Sequence, residues 1–496
     1  MNKSAFLKNL GVFSLASSPM FLPSLLCALW YKETAVAATF LCCILFTAAC
    51  GGLLYMLGRR ADNSLQHRET LGLVGAGWLL IALYGAIPYI LSGHLSFVDA
   101  YFESMSGFST TGASILSDIE VLPKGILFWR SFTHWLGGLG IILLIIIVLP
   151  FLGAGGKLLY RSEMPGLDKS SFKPRIKDSA IFLFRIYAGL TILMTLLLLF
   201  AGMDLYDSLC HTFGTLATGG VSTRNASIAA YDSPLIECII CVFMIIAGTS
   251  FSLIYCFAVG EYKTVYKNGE WRLYLSLLLV SAVLISLNIL FSHPSIPGLI
   301  GAPETHGDPG FLERIRLVVF QTVSIMTCTG FCTTDFNQWP DFSRMLLLVL
   351  MVIGGCSGST SGGLKVVRVM LLFKMAVWHL TQTFRPKDIR VFRADNMIVD
   401  KELQRSILSY FTLYACVFIA ATLLLTAIGI PMVTSLSAVA SCFNGVGPGL
   451  DQVGAVSNYG FMPASAKVLL SFIMAMGRLK LYAICALFLP SFWRKY

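Results

Sequence analysis

The sequence predicts an all-α polytopic membrane protein in which four helix, re-entrant pore loop, helix (M1-P-M2) repeats surround one pseudo-fourfold pore, plus two extra N-terminal helices. Three observations lead to this fold class: apolar runs long enough to cross a bilayer, a short Thr/Gly turn that recurs four times, and basic loops that fall on one side. The chain has 496 residues, of which 56% are hydrophobic and 12% charged, and its mean hydropathy is +0.76. A water-soluble protein of this size could not bury so much apolar surface.

Ten apolar runs are long enough to be membrane spans, since about 20 apolar residues cross a hydrocarbon core of ~30 Å. Lys3 and Lys8 precede the first run, as in a signal peptide, but no small-x-small cleavage site ends it, which favours a retained helix. The fourteen cysteines are scattered without metal-ligand spacing, so we expect small core residues and no cofactor. The runs are residues 10–30, 35–57, 71–91, 126–150, 180–202, 235–259, 273–292, 343–376, 406–428 and 464–490.

The loops rich in Lys and Arg, at 154–178, 260–272 and 374–405, all fall on one side of the membrane if the N-terminus is cytoplasmic. Ten spans then place both termini in the cytoplasm, and the net charge of +10 becomes a topology signal rather than a sign of nucleic-acid binding. The opposite face is acidic, and its carboxylates either concentrate cations through their field or are ordinary solvated loop charges. They are Asp99, Glu103, Asp118, Glu120, Asp204, Asp207, Asp232 and Asp451.

A short Thr/Gly turn recurs four times at intervals of about 110 residues, which indicates four copies of one unit. The turns are Thr110-Thr111-Gly112, Thr218-Gly219-Gly220, Thr329-Gly330-Phe331 and Val446-Gly447-Pro448. Residues 1–68 contain two apolar runs and no such turn, so they form a predicted two-helix addition. The four predicted units are 69–153, 154–259, 260–377 and 378–496.

Each turn follows a segment of about ten residues, too short to span a bilayer and therefore typical of a re-entrant helix. Irregular backbone at membrane depth is tolerated only inside protein or beside water, so the four turns predict a shared aqueous pore. Glycine lets carbonyl oxygens turn toward an axis, and a ring of such oxygens replaces the hydration shell of K⁺. The alternative is that each Thr-Gly pair is a tight loop or a packing site. The predicted filter is Thr110, Thr111, Gly112, Thr218, Gly219, Thr329, Gly330, Val446 and Gly447, with K⁺ held at all of these except Thr110.

Residues 354–363 hold five glycines in the middle of a predicted span, a density that should break the helix. Gly358 and Gly362 also fit a small-residue packing face, but the glycine density favours a gate. Arg478 lies inside the last apolar run, where a charge is costly, and we expect it to face the pore as an electrostatic barrier to cations. The predicted gate is Gly354, Gly355, Gly358, Gly362, Gly363, Lys365 and Arg478.

Six segments together resemble one known family: residues 102–107, 110–113, 134–140, 159–166, 217–223 and 447–449, which read Phe-Glu-Ser-Met-Ser-Gly, Thr-Thr-Gly-Ala, His-Trp-Leu-Gly-Gly-Leu-Gly, Leu-Tyr-Arg-Ser-Glu-Met-Pro-Gly, Ala-Thr-Gly-Gly-Val-Ser-Thr and Gly-Pro-Gly. The chain resembles the TrkH/KtrB/HKT superfamily of potassium transporters over nearly its whole length, and within it the TrkH family. In that superfamily a Ser at the first filter position is associated with Na⁺ permeation, so Gly112 favours K⁺. Cys328 and Cys332 depart from the expected small or Thr residues and bear on fine selectivity.

The resemblance implies four M1-P-M2 units around one pore, a homodimer, and K⁺ uptake across the bacterial inner membrane. It also implies an intramembrane loop that blocks the pore below the filter, and a cytosolic nucleotide-binding partner of the TrkA type. The chain itself carries no nucleotide-binding motif, so ion gradients must supply the energy, as in symport.

The sequence leaves two other function classes to consider. An intramembrane serine protease would use Ser357 or Ser359 with His134 or His211, but it would not explain four glycine turns. An organic-solute carrier would show broken helices in inverted pairs, whereas these units run in the same orientation. The sequence therefore favours a potassium transporter, which is not an enzyme.

Overall fold

The computed structural model describes residues 3–60, 67–152, 176–292, 310–385, 393–394, 397–398, 401–479 and 481–493. Within these ranges the regular secondary structure is helical apart from one antiparallel pair of two-residue strands, Arg393–Ala394 and Met397–Ile398. Residues 154–175 of the loop predicted at 154–178, residues 386–392, 395–396 and 399–400 of the loop predicted at 374–405, and the family-like segment 159–166 lie outside the described residues. The helices are Lys3–Ser17, Leu22–Trp30, Thr34–Gly58, His67–Leu91, Phe97–Phe108, Lys124–Leu152, Ile176–Phe200, Leu205–Leu216, Pro234–Ala247, Phe251–Ala258, Tyr262–Lys267, Gly269–Ser292, Phe311–Met326, Asp341–Ile353, Val366–Phe384, Lys401–Ala427, Met432–Asn444, Ala464–Arg478, Leu481–Leu487 and Pro490–Trp493.

Several of these helices are long and apolar enough to cross a membrane, so the chain is a multi-pass membrane protein. Among the described residues, six meet the length and hydropathy expected of a span: Lys3–Trp30, Thr34–Gly58, Leu71–Leu91, Ile181–Phe200, Gly269–Ser292 and Gln404–Ala427. A seventh is the pair Pro234–Ala247 and Phe251–Ala258, whose axes meet at 104°. The predicted run 126–150 is one helix, whereas the predicted runs 343–376 and 464–490 are each interrupted.

Four short helices, called the pore helices after the predicted M1-P-M2 unit, precede the four turns. They are Phe97–Phe108, Leu205–Leu216, Phe311–Met326 and Met432–Asn444. The first two begin with a side-chain cap, since Ser96 accepts a hydrogen bond from the backbone N–H of Asp99 and Asp204 accepts one from that of Asp207. Most of their residues are buried, so spanning helices enclose them.

The N-terminal helices Lys3–Ser17 and Thr34–Gly58 lie side by side and pack onto the first unit. Trp129 is fully buried at this junction, with its ring 4.7 Å from Phe21 and 6.2 Å from Phe108 between centroids. Glu33 accepts hydrogen bonds from the first backbone N–H groups of helix Lys124–Leu152, where the helix dipole favours an anion. The N-terminal pair is thereby fixed to the spanning helix behind the first turn.

Candidate functional site

The four turns share one backbone conformation. Each pore helix is followed by a residue with left-handed φ: Thr110 (56°), Thr218 (54°), Cys328 (57°) and Gly445 (71°). Two residues later a glycine again has positive φ: Gly112 (80°), Gly220 (65°), Gly330 (83°) and Gly447 (96°). Left-handed backbone is unfavourable for residues other than glycine, and such strain concentrates at functional sites.

The second turn differs by one residue from the predicted register. The N–H of Gly219 donates to the carbonyl of Gly214, as the N–H of Thr111 donates to that of Ser106, so Gly219 is equivalent to Thr111. The residue equivalent to Gly112 is therefore Gly220 and not Gly219. The sequence offers two consecutive glycines here, and only the backbone shows which one takes the left-handed position.

The turns pack against one another so closely that only a hydrogen atom fits at several glycines. A Cβ on Gly112 would overlap the carbonyl oxygen of Gly219, and one on Gly447 would lie 2.9 Å from the carbonyl oxygen of Thr111. The same contact recurs around the set, with Gly220 against the carbonyl of Thr329 and Gly330 against that of Val446. The first turn thus meets the second, the second the third, the third the fourth, and the fourth the first.

This ring separates two cavities. The upper cavity, of about 200 Å³, is lined by the four equivalent glycines Gly112, Gly220, Gly330 and Gly447. The lower cavity, of about 130 Å³, is lined by Thr110, Thr111 and Gly445 on the side of the ring, and by residues 357–363 opposite them. The predicted filter residues therefore lie between two open spaces.

Hydroxyl groups support two of the turns from behind. The Oγ1 of Thr111 lies 2.7 Å from the Oγ of Ser109, and the Oγ1 of Thr329 lies 2.8 Å from that of Thr327. The two hydroxyls of each pair hydrogen-bond to each other, whereas the Thr218 hydroxyl donates to the carbonyl of Ala217. In the fourth turn Val446 has no hydroxyl, so the oxygens available there are backbone carbonyls.

The glycine-rich run forms an irregular loop, residues 354–365, between helices Asp341–Ile353 and Val366–Phe384. Thr360 Oγ1 donates to the carbonyl of Leu216 at 2.9 Å, and Ser361 Oγ donates to that of Thr327 at 2.7 Å. A Cβ on Gly362 would overlap the carbonyl oxygen of Asn444. The loop therefore lies directly beneath the C-terminal ends of the second, third and fourth pore helices.

Positive φ values explain why this run is not helical. Gly354, Gly358 and Gly363 have φ between 72° and 81°, and Lys365 has φ of 76°. A hydrogen bond within the loop also holds this shape, since the N–H of Gly355 donates to the Ser361 hydroxyl at 3.1 Å. A helix cannot continue through such angles, so the prediction that this span is interrupted is confirmed.

Two basic side chains of the predicted gate, Lys365 and Arg478, line the lower cavity. The Lys365 ammonium donates to the carbonyl of Ser361. The Arg478 guanidinium donates to the carbonyl of Thr360 at 2.8 Å and to that of Gly137 at 2.7 Å. Arg478 thereby joins the loop to helix Lys124–Leu152 and places positive charge below the ring.

Several carboxylates of the predicted acidic face are paired. Glu103 is buried in an ion pair with Arg130 at 2.6 Å, and Asp99 pairs with Lys467 at 2.6 Å. The Asp207 carboxylate accepts hydrogen bonds from Thr223, Tyr231 and Arg224. These contacts make the three carboxylates structural: their charges are paired within the protein, so they match neither a cation-concentrating field nor ordinary solvated loop charges.

Comparison with known proteins identifies the family. The TrkH family model, a cation transport protein, matches residues 34–297 and 303–495. The chain belongs to the TrkH family. It is 37% identical over 485 residues, 97% of each chain, to the Trk system potassium uptake protein TrkH of Escherichia coli K12, and 35% identical over 498 residues, the full length of both, to the TrkH of Halomonas elongata. The crystal structure of the potassium transporter TrkH from Vibrio parahaemolyticus matches it over both full chains with a TM-score of 0.86 and 32% identity.

Membership of the TrkH family confirms the resemblance and excludes the protease, since this is a transport family and not an enzyme family. The local contacts agree: the Ser359 hydroxyl donates to the carbonyl of Cys356, and His211 Nε2 lies 2.9 Å from Ser222. The family also favours an inorganic cation over an organic solute. No group of three or more metal-ligating side chains occurs in the described ranges.

Proposed function

We propose that this protein takes up potassium across the bacterial inner membrane through the ring of four turns. The observation that supports this most is the ring itself: one backbone conformation repeated four times and packed edge to edge between two cavities. Moving a bare cation into hydrocarbon costs tens of kcal/mol, and carbonyl oxygens offset that cost for K⁺. The similar proteins from Escherichia coli and Halomonas elongata are named potassium uptake proteins.

The proposed filter consists of the residues that line or form the ring. Each pore helix points its C-terminal end toward the ring, and the partial negative charge there favours a cation. No carboxylate is among the ring residues, which favours a monovalent over a divalent ion. The filter residues are Thr110, Thr111, Gly112, Thr218, Gly219, Gly220, Thr329, Gly330, Val446 and Gly447.

The loop 354–365 is the proposed gate, and its glycines Gly354, Gly355, Gly358, Gly362 and Gly363 let it turn beneath the ring. Its hydrogen bonds to Leu216, Thr327 and Arg478 hold it across the lower cavity. With Lys365, Arg478 adds positive charge there, which opposes passage of a cation. Opening then requires these bonds to be exchanged for others.

The assembly in the membrane follows the same proposal. Both termini lie in the cytoplasm, two copies of the chain form a homodimer, and a TrkA-type nucleotide-binding protein docks on the cytoplasmic face. The basic loops support this orientation through the positive-inside rule. Ion gradients drive uptake, and coupling to a second ion would make it symport.

Uptake of ⁸⁶Rb⁺ into proteoliposomes, with and without a TrkA-type partner, tests the proposal. We expect uptake above that of protein-free vesicles, and no Rb⁺ flux under either condition would refute it. Gly112→Ser is the site variant: its side chain meets both a φ of 80° and the Gly219 carbonyl, so the ring must widen and discrimination against Na⁺ should fall. Gly189→Ser is the matched control, because a Cβ added at Gly189 would have no atom from another part of the protein within 4 Å.

A further inference from the structure

One face of helix Lys124–Leu152, in the first unit, packs along the second turn. Arg130 donates to the carbonyl of Ser222 at 3.1 Å. One helical turn later His134 lies against Gly219, and after another turn Gly138 lies against Ala217. Residues four apart share a face of a helix, so this single stripe supports the second turn over its whole length.

His134 occupies the place of a side chain at position 219. A Cβ on Gly219 would overlap His134 Nδ1 and would lie within 3 Å of two further atoms of the imidazole ring. The histidine is 1% exposed, and among the described residues its Nδ1 has no hydrogen-bond partner. A buried polar group without a partner is costly, so its position against the ring calls for an explanation.

The second turn lacks the groups that support its neighbours. Where the first turn has Ser109 and Thr111, with their hydroxyls 2.7 Å apart, the second has Ala217 and Gly219. The third turn repeats the pair with Thr327 and Thr329. The second turn therefore has no hydroxyl pair of its own behind the ring, and the imidazole fills the space left open.

The equivalent position in the second unit holds methionine. Tyr187 approaches the carbonyl of Trp135 and Tyr274 that of Ile245, both at 3.4 Å, which makes Met244 in the second unit the equivalent of His134. Both Met244 and His134 are buried. Gly248, four residues after Met244, lies against Thr327 as Gly138 lies against Ala217. By this equivalence the methionine belongs to the turn that carries Thr329, and the histidine to the turn that carries Gly219.

We propose that His134 is a positioning residue for ion selectivity: its imidazole replaces the missing side chain at Gly219 and fixes the second wall of the ring. It acts through the Gly219 backbone and does not contact the ion. This inference rests on the proposed function, because it concerns the width of that same ring. A wall that is free to move accommodates the smaller Na⁺ as well as K⁺.

The test compares wild type, His134→Ala and Met244→Ala in proteoliposomes, measuring ⁸⁶Rb⁺ and ²²Na⁺ uptake in parallel. Both variants delete a buried side chain, so both lose stability. We expect only His134→Ala to lower the Rb⁺ preference over Na⁺, by about tenfold, which corresponds to ~1.4 kcal/mol of differential binding. Met244→Ala should stay within about twofold of wild type, because the hydroxyl pair of its neighbouring turn is intact.

A double variant separates positioning from simple packing. Gly219→Thr alone should abolish uptake, since threonine has no room beside the imidazole. His134→Ala combined with Gly219→Thr returns a side chain to the turn and should restore most of the lost selectivity. An unchanged Rb⁺ preference in folded His134→Ala, or an equal loss in Met244→Ala, would overturn the inference, whereas absence of wild-type Rb⁺ uptake would overturn the proposed function instead.

Discussion

In both the first and the third unit, the second spanning segment places a glycine against the last carbonyl of a pore helix. The backbone that carries this glycine differs between the two units. Helix Lys124–Leu152 is continuous, and its Gly137 lies against the carbonyl of Phe108. In the third unit the chain is irregular at 354–365, and there Gly362 lies against the carbonyl of Asn444. Glycine allows the close approach in both places, so the difference lies in the backbone that carries it.

That difference decides which region can move. A continuous helix satisfies its own N–H and C=O groups, whereas an irregular loop at membrane depth must borrow partners. The loop takes them from other units: Cys356 N–H donates to Gly248, and the Gly358 carbonyl accepts from Phe251. Hydrogen bonds to other units can be exchanged, so we expect the proposed gate in the third unit to move and the continuous helix of the first unit to stay fixed.

The largest expected effect comes from Arg478→Ala, because Arg478 bonds to both regions. Hydrogen bonds from a charged group contribute about 1.5–3 kcal/mol each, so losing the bond to Thr360 should raise Rb⁺ flux by about tenfold or more. Arg368→Ala is the control, because it also removes a positive charge from the lower cavity. The Arg368 guanidinium stacks on the ring of Tyr410. Equal increases in the two variants would show that charge alone, and not the contact to the loop, restrains flux.

An intermediate effect is expected when alanine replaces the two close-approach glycines. Gly137→Ala should lower the stability of the protein by about 1–3 kcal/mol, because neither helix can yield to the added methyl group. Gly362→Ala should cost less stability and raise Rb⁺ flux, because the loop can shift. Thermal unfolding in detergent and Rb⁺ flux are measured for both variants, with Gly189→Ala as the reference. If the two variants are equally destabilised and Rb⁺ flux does not change, the helix and the loop do not differ in mobility as proposed.

The smallest effect is expected from Thr360→Val, which keeps the side-chain shape and removes the hydroxyl that donates to Leu216 and Ala247. A neutral hydrogen bond contributes about 0.5–1.5 kcal/mol, so basal Rb⁺ flux should rise up to about tenfold. Ser359→Ala removes a bond within the loop itself, to Cys356, and should leave flux near wild type. A flux in Thr360→Val no higher than in Ser359→Ala would mean that this hydroxyl does not hold the loop.

Much of the fold could be predicted from the sequence, because long apolar runs and basic loops are direct consequences of the bilayer. The interruption at 354–363 could also be predicted from the sequence, since five glycines in ten residues disfavour a helix. The 104° bend between Ala247 and Phe251 could not be predicted, because Gly248-Thr249-Ser250 contains no proline and lies within one continuous apolar run, 235–259. Tertiary partners decide that bend: the Gly248 carbonyl accepts the N–H of Cys356 from the loop.

The candidate site was predicted in outline and missed in detail. The turns and their glycines follow from repetition, yet the register of Gly219 and Gly220 depends on backbone angles that a glycine doublet leaves open. Thr360 and Ser361 were missed as contacts of the pore helices, although they lie within the predicted gate. The role of His134 had no local signal either, since the histidine and Gly219 are 85 residues apart and come from different units.

The ring has a consequence for biosynthesis. Its closing contacts join opposite ends of the chain: Gly447 lies against Thr111, and the Tyr459 N–H donates to the carbonyl of Ser114 at 2.8 Å. Chains fold from the N-terminus as they are made. The first turn therefore lacks its contact with the fourth turn, although its backbone is strained, until the last repeat has been inserted. A chain that stops before Gly447 holds three walls in the membrane and no complete ring.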